Sequence, residues 1–408
     1  MYSAKKSIIL HFKKISEFLE NKICNANARV NMKKIIIASD SFKGCLSSID
    51  IARAAEAGIR KVLPDCEVVA IPVADGGEGT TEALIAAMNG QLVSCEVHDP
   101  LMTIIPVAYG ILGDGQTAVI EMASASGLTL VPPEKRNPML TTTYGTGELI
   151  KDALQRGCRR FLIGIGGSAT NDAGTGMLQA LGFRFLDKDG NELGKGGQIL
   201  EQIASIDSQK VMPELQDTVL TVACDVNNPF SGENGAAFVY ARQKGADDAM
   251  TRQLDKGLKQ FAAVIRAATG KDIDAIPGAG AAGGLGGGFL AFLPTTLKPG
   301  IQMVLEALDF DSRIQNADLI ITGEGKLDRQ TGMGKTPAGI LEAGKHRHIP
   351  VVAIGGVVEE SDALMQQGFL AALSIQQGPV SLEQAMDHSF AYRQVERMVE
   401  QIIRLRIK

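Results

Sequence analysis

Residues 73–80 read VADGGEGT and place two carboxylates, Asp75 and Glu78, among three glycines directly after an apolar run. Glycine lets a backbone turn tightly and approach a bound group closely. A carboxylate in such a loop is suited to accept a hydroxyl proton or to bind Mg²⁺. Either acid, taken alone, is better explained as a cap of the helix predicted to begin at Thr80.

Two further loops combine carboxylates with lysines. SDSFKG at 39–44 follows the first predicted strand, and GEGKLDRQTGMGKT at 323–336 follows a strand predicted at 318–322. Lysines and free backbone N–H groups bind phosphoryl oxygens, which predicts phosphoryl-transfer chemistry. The candidate side chains in these two loops are Asp40, Ser41, Lys43, Glu324, Lys326, Asp328, Lys335 and Thr336.

Two more polar loops, GIGGSATND at 164–172 and CDVNNP at 224–229, also follow predicted strands. Ligands of open parallel sheets bind beyond the carboxyl ends of the strands. Tight turns and helix caps account for any one of these loops by itself. Five such loops in one chain favour a shared ligand site.

Some motifs point to a different class of enzyme. GIGGSA at 164–169 matches the looser dinucleotide fingerprint G-x-G-x-x-A, and Asp187 follows at about the spacing of a ribose-binding acid. A nicotinamide-dependent oxidoreductase acting on a small hydroxy acid is therefore the alternative. A complete phosphate-binding P-loop is absent, because its first glycine would fall at Arg329.

The order of the predicted elements indicates a split domain. Strands and helices alternate from Met32, and the same alternation returns at 318–322. This rhythm is typical of a parallel sheet covered by helices. The middle of the chain instead begins with a predicted β-hairpin at 104–121. We therefore expect an α/β domain at 32–95 plus 296–408, and an inserted mixed α/β domain at 96–295.

The composition is that of a soluble globular protein. The 408 residues are 45% hydrophobic and 21% charged, with a net charge of −5 and 5% aromatic residues. Neither a basic patch nor an aromatic platform is evident, so nucleic acid is not an expected partner. Six scattered cysteines fit a reducing cytoplasm better than a disulfide framework.

Two segments could be mistaken for membrane or targeting elements. The charge-free run at 275–297 holds seven glycines and two prolines, which argues against a membrane span. Residues 1–31 could form a short amphipathic helix for targeting or partner binding. We favour a leader preceding a start at Met32, because MKKIIIASD resembles a complete first strand.

The long motifs, taken in order, resemble the bacterial glycerate kinase type-1 family from Met32 almost to the C-terminus. They include DSFKG, VADGGEGT, GIGGSATNDAGTGM, ACDVNNP, QKGA, PGAGAAGGLG and ITGEGKLDRQTGMGKTPAG. The resemblance implies a flavodoxin-like (Rossmann-like) parallel-sheet domain with a second domain inserted and the active site in the interdomain cleft. It also implies ATP with Mg²⁺ as cofactors and D-glycerate as the substrate, phosphorylated at C2. A homodimer is left open.

The roles expected for a kinase follow from the needs of phosphoryl transfer. Lysines would neutralise the transferred group, a carboxylate would accept the hydroxyl proton, and an arginine would bind the substrate carboxylate. Backbone N–H groups of 166–169 would bind phosphate at a helix N-terminus. A non-catalytic ligand-binding sensor is a third, weaker hypothesis. The assignments are Asp75, Asp172 (reserve base), Lys43 and Lys326 as catalytic; Asp40, Ser41, Arg136, Asn171 and Asp328 for substrate; Gly166, Gly167, Ser168, Ala169 and Lys335 for nucleotide; and Glu324 and Asp225 for the metal.

Overall fold

The computed structural model describes residues 32–332 and 334–407, so the helix predicted within residues 1–31 lies outside the described residues. Thirteen strands are present in the described part of the chain. They are β1 Lys34–Ile37, β2 Glu67–Ala70, β3 Gln91–His98, β4 Ile104–Ile111, β5 Thr117–Glu121, β6 Arg160–Gly164, β7 Arg184–Leu186, β8 Ser205–Asp207, β9 Val219–Ala223, β10 Thr295–Lys298, β11 Leu319–Leu327, β12 Val351–Val358 and β13 Ala371–Ser374.

Helices follow most of the parallel strands, and several short 3₁₀ turns lie between them. None of the described helices is long and apolar enough to cross a membrane. The α-helices are α1 Ser48–Arg60, α2 Thr80–Ala87, α3 Ala123–Ser126, α4 Tyr144–Gln155, α5 Thr175–Ala180, α6 Ala236–Tyr240, α7 Asp248–Thr269, α8 Ala281–Phe292, α9 Gly300–Ala307, α10 Phe310–Arg313, α11 Thr336–His346, α12 Ser361–Gln367, α13 Leu382–Ala385 and α14 His388–Arg406.

The first sheet has five strands in the order β13-β12-β11-β1-β2, and every pair is parallel. Counted along the chain within this sheet, that order is 2-1-3-4-5, the flavodoxin-like arrangement. The strand β1 alternates between the two faces: Ile35 and Ile37 pack in the core under α1 and α14, and Ile36 packs in the opposite core. The flavodoxin-like prediction is confirmed.

The second sheet has six strands in the order β10-β9-β6-β5-β4-β3. Its β10, β9, β6 and β5 are mutually parallel, and β4 and β3 complete it as antiparallel strands. The hairpin predicted at 104–121 is confirmed as β4 and β5. This sheet takes its residues from Gln91 to Lys298, and we retain two domains, one inserted in the other, as a proposal.

The loop that follows β2 joins the ends of the two sheets through close backbone contacts. A β-carbon on Gly76 would stand 2.6 Å from that of Ala223 at the end of β9. A β-carbon on Gly164, the last residue of β6, would stand 2.1 Å from the Gly76 carbonyl oxygen. Gly76 also has a φ of +87°, a left-handed conformation that favours glycine. These glycines hold the Asp75 loop against the second sheet.

Two local predictions were wrong. Residues 323–327 were predicted as loop, but they continue β11 to Leu327 because their backbone pairs with β12. The segment 166–169 was predicted to open a helix, but the next helix, α5, begins only at Thr175. The amide of Ala169 instead donates to the carbonyl of Ser126.

Candidate active site

A cavity of about 860 Å³, called cavity A, opens at the carboxyl ends of the first sheet. One end of cavity A is polar and the other is an apolar wall. Several wall residues are unusually exposed for their type; Val357 is 50% exposed and Leu382 is 78% exposed, which is typical of a ligand-binding surface. The polar end is lined by Asp40, Ser41, Lys43, Asp75, Glu324, Lys326 and Lys335; the wall by Phe42, Val357, Val358, Ile375, Pro379, Val380, Leu382 and Met386.

Asp40 is the most perturbed acid in cavity A. The residue is only 3% exposed. Its Oδ1 accepts a 2.6 Å hydrogen bond from the Ser41 amide. Its Oδ2 accepts a longer bond of 3.4 Å from the Thr336 hydroxyl. Burial, followed by the nearby charge of Asp75, raises the pKa of Asp40 to about 6. Burial is therefore the main reason that Asp40 resists ionisation.

Glu324 lies in β11 beside Asp40 in cavity A. Its Oε1 accepts a 2.5 Å hydrogen bond from the Thr331 hydroxyl, and its Oε2 lies 3.4 Å from Lys335 Nζ. Burial raises the pKa of Glu324 in spite of these two contacts. Glu324 and Lys335 thus form a partly buried ion pair, and both side chains line cavity A.

Lys326 is a more exposed cation at the same end. Its Nζ lies 3.0 Å from Glu359 Oε2 and 3.7 Å from Asp328 Oδ2, and its side chain is 52% exposed. The amide of Asp328 also donates a hydrogen bond to the Thr331 hydroxyl oxygen, at 2.9 Å. Lys326 is therefore free to exchange its surface carboxylates for a ligand anion at little cost.

A second cavity of about 800 Å³, called cavity B, lies between the Asp75 loop and the carboxyl ends of β6 and β9. Gly166 and Gly167 expose their backbone to it, because a β-carbon on Gly166 would meet no atom within 4 Å. Asp225 also faces cavity B, and its Oδ1 accepts from the Gly300 amide at 2.9 Å. Burial, followed by the charge of Asp75, raises the pKa of Asp225. Further lining residues are Ser168, Cys224, Tyr240, Gln243 and Lys244.

Lys244 is a buried cation in the wall of cavity B. It is 2% exposed, and its Nζ donates 2.6 Å hydrogen bonds to Ser168 Oγ and to the Thr170 carbonyl. Burial lowers the pKa of Lys244 to about 7, although the charge of Asp172 opposes this effect. A lysine buried in this way is uncommon unless it has an anionic partner.

Lys43 and Asp75 line both cavities. Lys43 Nζ lies 3.9 Å from Asp75 Oδ2, and Asp75 Oδ1 accepts from the Gly77 amide at 3.1 Å. The pair therefore stands where a ligand in one cavity would meet a ligand in the other.

The residues predicted for the site fall into three groups. Seven line cavity A, and Gly166, Gly167, Ser168 and Asp225 line cavity B together with Lys43 and Asp75. The two predicted metal ligands, Glu324 and Asp225, therefore line different cavities. Lys335 and residues 166–168, which were all predicted to bind the nucleotide, are divided between the two cavities in the same way. Predicted residues that line neither cavity are Arg136, Ala169, Asn171, Asp172 and Asp328.

Asp172 has a position that suits a structural anchor. It is fully buried and accepts hydrogen bonds from the amides of Thr143, Gly174 and Gly176. The hydroxyls of Thr142 and Thr143 donate to it as well. With its oxygens saturated, Asp172 ties the 166–174 loop to the start of α4.

The prediction from sequence missed two polar residues of the site, Lys244 and Thr331, and named Thr336 without giving it a role. Thr331 and Thr336 donate to Glu324 and Asp40, respectively. Both lie in the glycine-rich segment already singled out, so a search for hydroxyl donors beside the acids would have found them. Lys244 lies in QKGA, a motif noted without a role, and nothing in its polar surroundings marks it as buried.

Comparison with known proteins decides the family. A sequence profile of the glycerate kinase family matches residues 35–407. The chain belongs to the glycerate kinase family.

The relatives agree with this family membership. The chain is similar to glycerate kinase of Bacillus subtilis (51% identity over 360 residues, 88% of this chain and 94% of the relative). It is also similar to glycerate 2-kinase of Escherichia coli K12 (48% identity over 353 residues, 86% and 93%). A crystal structure from Salmonella typhimurium LT2, of a protein designated glycerate kinase 2, superposes with a TM-score of 0.85 at 42% identity and covers 92% of this chain and 98% of that chain.

The comparisons give no support to the oxidoreductase alternative. Asp187, the predicted ribose-binding acid, is used within its own exposed turn. Its oxygens accept hydrogen bonds from the amides of Asp189 and Asn191, at 2.9 and 2.8 Å. The G-x-G-x-x-A segment also lacks the helix that such a fingerprint should open.

Proposed function

We propose that this chain is an ATP-dependent glycerate kinase that transfers the γ-phosphoryl group to the C2 hydroxyl of D-glycerate. Family membership supports the reaction class, and the name of the E. coli relative supports the position of transfer. The observation that carries the proposal is the junction of two cavities at Lys43 and Asp75. A reaction between two bound substrates needs such a junction.

Cavity A suits the nucleotide. Its apolar wall offers Val357 and Ile375 to a purine ring, and Lys43, Lys326 and Lys335 lie at the polar end, where phosphates would bind. The carboxylates of cavity A offset the positive charge of its three lysines. The lysines therefore neutralise a bound triphosphate only together with a metal ion.

The donor set of cavity A fits Mg²⁺. Asp40 and Glu324 both face the cavity, and burial raises the pKa of each, so a bound divalent cation would stabilise their charged forms. Within the described residues no group of three or more acidic, cysteine or histidine side chains is suited to hold a metal. Mg²⁺ is usually bound by only one or two carboxylates, and phosphate oxygens and water complete its coordination. We assign Asp40 and Glu324 as its ligands; when bound, Mg²⁺ would neutralise phosphate charge.

Cavity B is then the site of glycerate. Its hydroxyl would point to the junction, where Asp75 accepts the proton as the oxygen attacks phosphorus and the bond to the β-phosphate oxygen breaks. Lys43 would neutralise charge on the transferred group. We further propose a cytoplasmic enzyme, because the five described cysteines are all free thiols.

The test is to measure ADP formation with and without D-glycerate, with ³¹P NMR of the product and an NADH titration alongside. Glycerate-dependent ADP formation with a 2-phosphoglycerate resonance is the expected result. A 3-phosphoglycerate product would correct the position of transfer. NADH binding without glycerate-dependent ADP formation would contradict the kinase.

A further inference from the structure

Lys244 presents an electrostatic problem that its own fold solves only in part, through the charge of the buried Asp172. Its ammonium group is buried, and its two recorded partners, Ser168 Oγ and the Thr170 carbonyl, are both neutral. In the part of the chain that the structure describes, Lys244 forms no ion pair with a carboxylate. Burying an unpaired charge is costly, whereas a paired and hydrogen-bonded charge is tolerated.

The missing anion has an open place beside Lys244. Lys244, Ser168 and the backbone of Gly166 and Gly167 line the same cavity B. An ammonium has three N–H donors, and the two recorded bonds leave one. The two bonds also fix the direction of the amine, so that it is already oriented when a ligand arrives.

We propose that Lys244, with the backbone of Gly166–Ser168, binds the carboxylate of the hydroxy-acid substrate. This inference rests on the proposed function, since it takes glycerate to be the ligand of cavity B. Lys43 lines both cavities, so Lys244 is the lysine that cavity B does not share with cavity A. Its single positive charge suits a carboxylate, whereas three lysines and the acid pair of cavity A suit Mg²⁺ and a triphosphate. Lys244 replaces Arg136 in this role, because Arg136 lines neither cavity.

The direct test compares Lys244→Gln with the matched control Lys256→Gln. The glutamine amide can still donate to Ser168 or Thr170 but carries no charge, and Lys256 is a surface lysine whose side chain is 72% exposed. We expect K244Q to weaken D-glycerate binding, measured by calorimetry, at least tenfold, and to leave ATP binding within about twofold. K256Q should match the wild type for both reactants.

Every other pattern overturns the assignment. Unchanged glycerate binding would show that Lys244 does not bind the substrate carboxylate. Weakened ATP binding alone would assign the anion to a phosphoryl group. Weakened binding of both would indicate a general collapse of the cleft. Lys244→Met serves as a second variant if K244Q melts well below the wild type, with the same criteria.

A measurement on the unmodified chain complements the variants. The pKa of Lys244 lies at about 7, with Asp172 as the charged group that opposes the effect of burial, so most of the population is neutral at pH 8. Binding of a carboxylate raises that pKa, so calorimetry in buffers of different ionisation enthalpy should show proton uptake with D-glycerate that K244Q lacks. Equal uptake in both proteins would overturn the inference. These binding measurements need no turnover, so they remain informative if the wild type fails to phosphorylate glycerate.

Discussion

The α-carbon of Gly300 lies against the carbonyl group of Asp75, so closely that a β-carbon at position 300 would stand 1.8 Å from that oxygen. The Gly300 amide also donates to Asp225. A single glycine at the start of α9 thus sets the positions of one acid at the junction and one acid in cavity B.

Gly300→Ala should therefore displace the Asp75 loop. Overpacking of this kind typically costs ~1–3 kcal/mol of unfolding free energy. We expect kcat/KM to fall at least tenfold, because a small displacement at a reacting group has a large effect on rate. Thermal unfolding and steady-state kinetics measure the two effects. Gly194→Ala is the control, since a β-carbon there would meet nothing within 4 Å; equal behaviour of the two variants would contradict the prediction.

Asp75→Asn tests the proton acceptor. The asparagine oxygen can still accept from the Gly77 amide, so the loop should keep its shape. We expect kcat to fall by at least about a hundredfold, the usual scale for losing a general base, with the KM for ATP nearly unchanged. The exposed Asp189→Asn is the control. Weakened Mg·ATP binding in D75N would instead assign Asp75 to the metal.

Asp40→Asn should stabilise the ligand-free protein and abolish activity. The folded pKa of about 6 exceeds the ordinary 3.8, so the folded state binds protons more readily than the unfolded chain. The wild type therefore loses stability as pH rises from about 4 to 6, by roughly 3 kcal/mol for two pKa units. D40N should show little advantage at pH 4 and its full advantage above pH 6.5. Urea unfolding at several pH values measures this, and a pH-independent difference would contradict the cause given.

Arg136→Gln should leave glycerate affinity unchanged. The Nε of Arg136 donates to the carbonyl of Val131 at 3.3 Å, away from both cavities. We expect the KM for D-glycerate to stay within about twofold of the wild type, in contrast to K244Q. A tenfold rise in KM would show that Arg136 binds the substrate carboxylate, as predicted from the sequence.

The first sheet was predictable from sequence because its signals are local. Apolar runs such as KIII and LIIT alternate with helices, and parallel pairing then brings 39–44 and 323–336 to one edge. The end of β11 was harder to predict. The polar segment GEGKL is in the strand because of its pairing with β12, a long-range contact that its own residues do not indicate.

The division of the site between two cavities could not be predicted for a similar reason. Lys244 lies in a polar stretch, and lysine is seldom buried, so its local sequence indicates a surface residue. Its environment is created by Ser168 and Thr170, more than seventy residues earlier. Asp172 was assigned the role of reserve base for the same kind of reason. The hydroxyls that bind its carboxylate come from Thr142 and Thr143, in a different loop, and the local sequence around Asp172 does not indicate them.

The strand order of the first sheet also constrains how the chain is made. The strand β1 pairs with β11, so Ile36 cannot pair with Ile320 until about 280 more residues have been synthesised. At typical rates of translation this takes roughly 15 to 60 s. The second sheet is complete at Lys298, early enough to fold first and to shorten the loop that must close. A substitution that weakens the second sheet would therefore leave the apolar edge of β1 uncovered for longer on the ribosome, where nascent chains aggregate.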